Sequence, residues 1–399
     1  MAQRRMQRSL LSRRALLGAG LALPLAARAQ RPVLPVGLLT QADDPRYGTQ
    51  ALLDAYPDAP GGRAQPAMQM ALNDSTLILQ LAGWDGAQLL PVEAADADGV
   101  AGALLRLLRQ GARHVLLELP AAGVVAATAA AAGKDVMLLN TAAPEDALRG
   151  EQCAASLLHT LPSRAMQMDA IAQLLAARGW LRPLVLAGET PGDTLLLAAW
   201  QRAERRARLQ PVALRSFGPG GADSDPDAPR RLTSGLDYDA VVVLDAGGAF
   251  ARALPYRTAL PRPVLGSDGL TAQAWHPLDT RAGAPQLSRR FLLRAGRPMG
   301  SYDWAAYAAA RAAAQAAAVF RKVAIAGQLQ ALHQGAVTVE GAGGEHLSFR
   351  AWDGQLRQPL LLAHGDGIAA IAPLPGFAQG REPLDSLGHD AAGTACRPT

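Results

Sequence analysis

Short apolar runs alternate with longer amphipathic ones from Pro35 onward, and the alternation runs its course twice. Such a chain is confined to parallel sheets layered with helices, because successive parallel strands need a long crossover, usually helical, to join them. The first series predicts strands at Pro35–Thr40, Leu89–Val92, His114–Leu119 and Val136–Asn140. Between them lie a helix opened by Pro66, a helix near Asp98–Gln110 and a helix from Ala121 closed by Gly133. The second series opens with Ser163 as an N-cap and Gly179 as a stop. Strands follow at Leu184–Ala187, Pro211–Ser216, Ala240–Leu244 and Val264–Gly266, with a helix at Asp193–Ala207. The fold class is α/β, with two doubly wound parallel-sheet lobes.

A long alanine-rich helix, about Asp303–Ala324, is too apolar to stand alone and is expected to pack back on the first lobe. The short β-rich runs Ala336–Val339, Leu347–Ala351, Leu360–Ala363 and Ile368–Ala372 are expected to extend the edge of the second lobe's sheet. The acidic run Asp223-Ser-Asp225-Pro-Asp227 reads as a solvated loop, since Pro226 interrupts any calcium-loop spacing and Ser234 stands where a bidentate glutamate belongs.

Residues 1–29 read as a cleaved export signal. Ser12-Arg13-Arg14 is a twin-arginine pair, a weakly apolar run follows, and Ala27-Arg28-Ala29 is a small-x-small cleavage site. The run falls short of the ~20 residues that span a bilayer. The mature chain is therefore expected free in the periplasm, without membrane insertion. The signal holds six arginines and no acid, so the net charge of +5 becomes −1 without it. A near-neutral chain lacks the basic field that phosphate binding draws on, which argues against a nucleic-acid partner. Two cysteines, Cys153 and Cys396, enter an oxidising compartment; their even count predicts a disulfide, with two buried thiols as the alternative.

Catalytic signatures are missing. The chain has no Gly-x-Ser-x-Gly elbow, no P-loop and no His-Glu-x-x-His, and its seven histidines are scattered, so neither catalytic residues, nor a metal site, nor a cofactor is assigned. In open parallel sheets ligands bind beyond the carboxyl ends of strands. Those loops offer Tyr47, Asn140 and Thr141 in the first lobe, and Glu189, Asp245, Ser267 and Asp268 in the second. Asn140-Thr141 and Asp245 with Asp268 are expected to face one ligand across a cleft while adding little to the stability of the core. The competing reading for each is turn or cap chemistry.

Several fragments, in this order and spacing, carry a resemblance over nearly the whole mature chain. They are Met70-Ala71-Leu72-Asn73-Asp74, Leu138-Leu139-Asn140-Thr141-Ala142-Ala143-Pro144, His159-Thr160-Leu161-Pro162-Ser163, Arg178-Gly179-Trp180, Gly296-Arg297-Pro298 and Asp303-Trp304-Ala305-Ala306-Tyr307. The chain resembles the type I periplasmic substrate-binding proteins, which include the branched-chain amino acid receptors of ABC transporters. The tail Phe349-Arg350-Ala351-Trp352-Asp353-Gly354-Gln355-Leu356-Arg357-Gln358-Pro359, with Leu384-Asp385-Ser386-Leu387-Gly388 and Cys396, looks like the branch associated with pyrroloquinoline-quinone-dependent alcohol dehydrogenase systems.

The resemblance implies a monomeric receptor that closes on a small molecule, delivers it to an ABC permease and is linked to alcohol oxidation. Its implied division is residues 30–160 plus 278–334 for lobe 1, 161–277 plus 335–375 for lobe 2, and 376–399 for a tail. The crossings fall near His159–Ser163, Asp268–Pro277 and Leu332–Ala336. Pro120-Ala121-Ala122 stands where amino-acid receptors of this group carry a Ser/Thr-rich loop, so an amino-acid ligand does not transfer. A sensor or accessory protein on the same scaffold is the alternative; a periplasmic enzyme would need a nucleophile or acid/base set that no motif supplies.

Overall fold

The computed structural model describes residues 31–48, 59–218, 225–341, 343–365, 367–377 and 382–396. The export signal, Asp223 and Ser224 of the acidic loop, and parts of the 376–399 tail lie outside the described residues.

The first sheet is parallel, in the order β2-β1-β3-β4-β5, with β1 (Val33–Gln41), β2 (Gly86–Ala94), β3 (His114–Glu118), β4 (Met137–Asn140) and β5 (Leu157–His159). The central strands β3 and β4 are Val/Leu-rich and wholly buried, as strands covered by helices on both faces must be. Pro91 is tolerated because β2 is an edge strand. The register sets Thr40 opposite Glu118, Leu117 opposite Asn140 and Asn140 opposite His159, which brings these strand ends to one edge. The helices of this lobe are α1 (Gln65–Asp74), α2 (Thr76–Leu81), α3 (Val100–Arg109) and α4 (Ala121–Ala131).

The second sheet, also parallel, runs β7-β6-β8-β9, with β6 (Pro183–Ala187), β7 (Ala213–Ser216), β8 (Ala240–Leu244) and β9 (Val264–Gly266). Its helices are α5 (Arg164–Ala177), α6 (Pro191–Ala207) and the short α7 (Ala228–Thr233). Ser163 caps α5 by accepting the Met166 N–H, and α6 opens on a capping box in which Thr190 and Asp193 satisfy each other's backbone.

After β10 (Thr271–Gln273) the chain returns to the first sheet as α8 (Ala284–Ala295), α9 (Ser301–Val319) and α10 (Ile325–His333). Helix α9 buries its alanine face against α1 and α2 as anticipated. It ends at Val319, short of Ala324, because Gln328 Nε2 donates to the carbonyls of Phe320 and Val323 and holds a turn there. Asp135 then caps α10 through the Ile325 N–H at 2.9 Å.

The closing β runs do not extend the second lobe's sheet. Strand β13 (Leu360–His364) pairs antiparallel with β10 on one side and with β14 (Gly367–Ala372) on the other, in a separate sheet that packs on α5, while β11 (Val339–Glu340) and β12 (His346–Leu347) form a small ribbon. The reason is a pairing register, Thr271 with Ala363, between segments far apart in sequence. A further segment, Gly354–Leu356, runs beside His159 at the edge of the first sheet, with backbone bonds of 2.9 and 2.8 Å.

Candidate functional site

The carboxyl ends of both sheets open onto one cleft of about 360 Å³. Its first wall comes from the loops after β1, β3 and β4 and from Tyr302 at the start of α9; its second comes from α5, β10 and the loops after β8 and β9.

Arg46, two residues beyond Asp44 in the loop after β1, is the most defined charge on the cleft. Asp44 is buried, and its carboxylate accepts Arg46 Nε at 2.9 Å and Nη2 at 2.6 Å. The Nη1 group donates to the Ala142 carbonyl. The guanidinium centre lies 5.7 Å from the Tyr47 ring and 6.0 Å from that of Tyr302. Burial opposes the charge, yet the Asp44 bond and the neighbouring groups outweigh it and raise the Arg46 pKa above its ordinary value.

Across the mouth, Arg164 in the first turn of α5 bonds Glu145 at 3.2 Å. The loop carrying Glu145 also caps α5, since Pro144 O accepts the Arg164 N–H and Asp146 Oδ1 the Ala165 N–H, each at 3.0 Å.

The seven residues anticipated at strand ends divide unevenly. Asp245 and Ser267 line the cleft. Asp245 is held inward: Oδ1 accepts the Gly247 and Gly248 N–H groups and Oδ2 those of Phe250 and Ala251, all at 2.8–3.1 Å. Ser267 Oγ accepts the Asp245 N–H at 2.9 Å, leaving its own hydroxyl proton for another partner.

Asn140 and Thr141 are fully buried and do not line the cleft. Asn140 accepts from the Ala142 and Ala143 N–H groups, donates to the Ala143 carbonyl, and sits 3.0 Å from His159 Nδ1. Thr141 donates to the Leu117 carbonyl at 3.0 Å. Together they shape the turn that delivers Pro144 and Glu145 to the cleft.

Tyr47 is turned away beneath Arg63, whose guanidinium lies 3.9 Å from its ring centre. Burial first, and then the Glu118 charge, push its phenol well above the ordinary range. Glu189 is exposed on a different hollow beside Phe217 and Phe250. Asp268 bonds the Gly269 N–H at 2.5 Å outside the cleft lining, with its carboxyl raised by burial. Among the described residues no group of three or more His, Cys, Asp or Glu is disposed to hold a metal, and no helix is long and apolar enough to cross a membrane.

Sequence reasoning missed Arg46, Glu145, Arg164, Gln167 and Tyr302. Arg164 had a legible signal: a cation in a helix's first turn opposes the dipole and calls for an acidic neighbour or a ligand. Arg46 had none, being one arginine in a polar loop.

These two parallel sheets, joined at a cleft by strand ends, decide the architecture. The fold is that of the type I periplasmic binding proteins. No protein-family model matches the chain, and no curated sequence matches it. Among solved structures it is similar to a branched-chain amino acid ABC transporter periplasmic ligand-binding protein from Burkholderia xenovorans, with TM-score 0.70, 16% identity and coverage of 91% of this chain and 99% of the other. A Rhodopseudomonas palustris solute-binding protein of an ABC transporter, in complex with benzoate, gives TM-score 0.62, 15% identity and coverage of 92% and 99%. A Streptococcus pneumoniae branched-chain amino acid transporter substrate-binding protein, in complex with isoleucine, gives TM-score 0.61, 17% identity and coverage of 85% and 98%.

Proposed function

We propose that this chain is a periplasmic solute-binding receptor whose two lobes close on a small molecule and present it to an ABC permease. The observation that carries the reading is the convergence of Arg46, Arg164, Asp245 and Ser267, from the ends of two separate sheets, on one cleft. A ligand touching both walls stabilises the closed form by its differential contacts with the two states. The neighbours support this: one is an amino-acid receptor in complex with isoleucine and another a solute-binding protein in complex with benzoate. Export by a cleaved twin-arginine signal, a monomeric state and the lobe division 30–160 plus 278–334 against 161–277 plus 335–375 belong to the same proposal. The association with quinone-dependent alcohol oxidation rests on the tail's resemblance. In the fold that tail is a polar clasp, with Arg350 and Arg357 both bonded to Asp385.

Small-angle scattering of the purified mature protein, with and without a small-molecule extract from the periplasm, tests the reading. A decrease in radius of gyration on adding extract is expected. An unchanged radius, with no compound retained by the protein, removes it.

A further inference from the structure

The polar groups on the cleft are not balanced between donors and acceptors. Resting on the receptor reading above, we propose that the cleft takes a carboxylate with an apolar body and no ammonium group, anchored by Arg46.

A guanidinium has five N–H groups. Asp44 takes two of those on Arg46 and Ala142 O a third, leaving one on each Nη, the number a carboxylate can accept in a forked pair. Asp44 and Ala142 fix the guanidinium before any ligand arrives, so little side-chain entropy is lost on binding. Arg164, on the opposite wall, adds a second surplus, since its Nη1 has no partner.

Acceptors are scarcer. Both oxygens of Asp245 are filled by four backbone N–H groups, and Asp44 is filled by Arg46. Glu145 keeps one oxygen without a partner, but an ammonium placed there would lie against the Arg164 cation that Glu145 already binds at 3.2 Å. The loop after β3 adds no donor side chain, because Pro120 lacks an N–H and Ala121 a polar group. The remaining walls include Pro45, Pro60, Met168, Ile171 and Leu196, which suit a hydrocarbon or aromatic body.

The test is calorimetry of the mature protein with leucine, 4-methylpentanoate, 3-methylbutylamine, benzoate and benzamide, alongside native mass spectrometry of protein taken from the periplasm. The expected result is that 4-methylpentanoate or benzoate binds at least about tenfold more tightly than leucine, the amine or the amide, or that the retained compound is a carboxylate without an amine. Arg46→Gln should weaken that binding at least tenfold. Because it also leaves the buried Asp44 carboxylate without its partner, it should lower the unliganded melting temperature, so affinities are compared well below the melting point of the variant. Arg46→Lys, which keeps the charge, should recover part of both losses. Tighter binding of leucine, of the amine or of a neutral retained compound overturns the anion assignment and leaves the receptor reading standing. Unchanged affinity in Arg46→Gln likewise overturns it. If no compound binds and none is retained, both readings fall.

Discussion

The carboxylate of Asp169 accepts the backbone N–H of Gly388 at 2.7 Å, fastening α5 of the second lobe to the C-terminal tail. Arg202 and Arg206 converge on the same carboxylate oxygen at 2.5 and 2.7 Å, and both also donate to the Gly388 carbonyl. Beyond it, Thr394 donates to Arg149 O at 3.1 Å, and Cys396 is bonded to Cys153 in the first lobe. The tail thus holds both lobes at once.

Arg350 is the centre of that clasp. It is 1% exposed, donates to the carbonyls of Leu384 and Leu387, and pairs with Asp385 and, at 3.7 Å, Asp353. Replacing it with methionine roughly keeps the volume, takes the arginine partner from Asp353, leaves Asp385 with Arg357 alone, and leaves the Leu384 and Leu387 carbonyls without their donor. Arg350→Met is expected to cost about 3–5 kcal/mol in chemical denaturation; a loss below about 1 kcal/mol would show that the clasp contributes little.

Asp245→Ala is expected to lower the stability of the unliganded protein by about 3 kcal/mol, because four backbone N–H groups lose a charged acceptor. Its position on a strand-end loop suggested a ligand contact of small structural weight. The turn it organises moves the expected effect to the melting curve, and calorimetric melts of the apo protein check it.

At Gly266 the backbone has φ near +121°, and an added Cβ would meet Val243 O at 2.1 Å. Neither the carbonyl of a central strand nor that conformation can adjust to a side chain. Gly266→Ala should displace Ser267 from the cleft wall, lowering both thermal stability and ligand affinity. Retention of both in one preparation contradicts this.

Acidification should destabilise the protein through His159. Burial, and then the nearby Arg149 charge, hold its imidazole well below the ordinary pKa, and its Nδ1 faces the Asn140 amide. The unfolded chain protonates this histidine near pH 6.5 while the native one does not. Stability is therefore complete above that pH and falls as pH drops below it, by about 1.4 kcal/mol per pH unit until the native group also titrates. Melts between pH 7.5 and 5.5 should show a shallower slope in His159→Gln than in the wild type.

Much of this architecture could be read from local pattern. Runs such as Val115–Leu117 and Val241–Val243 leave no polar face, and Ser163 and Gly179 mark the ends of α5, so both sheets emerged from short-range chemistry. Strand β10, Thr-Ala-Gln, escaped notice because it has no apolar run and finds its partner β13 only in the folded chain, and strand β5 offers no more than Leu157-Leu158 before His159. The cleft was harder for a related reason. Asn, Thr and Asp at strand ends are the residues that ligands use and also those that turns use; here the turns take Asn140 and Thr141 outright and both oxygens of Asp245, leaving the cleft's open donors to arginines.

The bond between Cys153 and Cys396 spans 243 residues and closes a covalent ring around the whole second sheet and the three helices that return to the first. A protease that cuts one peptide bond anywhere inside that ring therefore severs the chain without dividing the molecule. The nicked protein keeps its full mass under non-reducing conditions, and its two pieces part only when a thiol opens the ring.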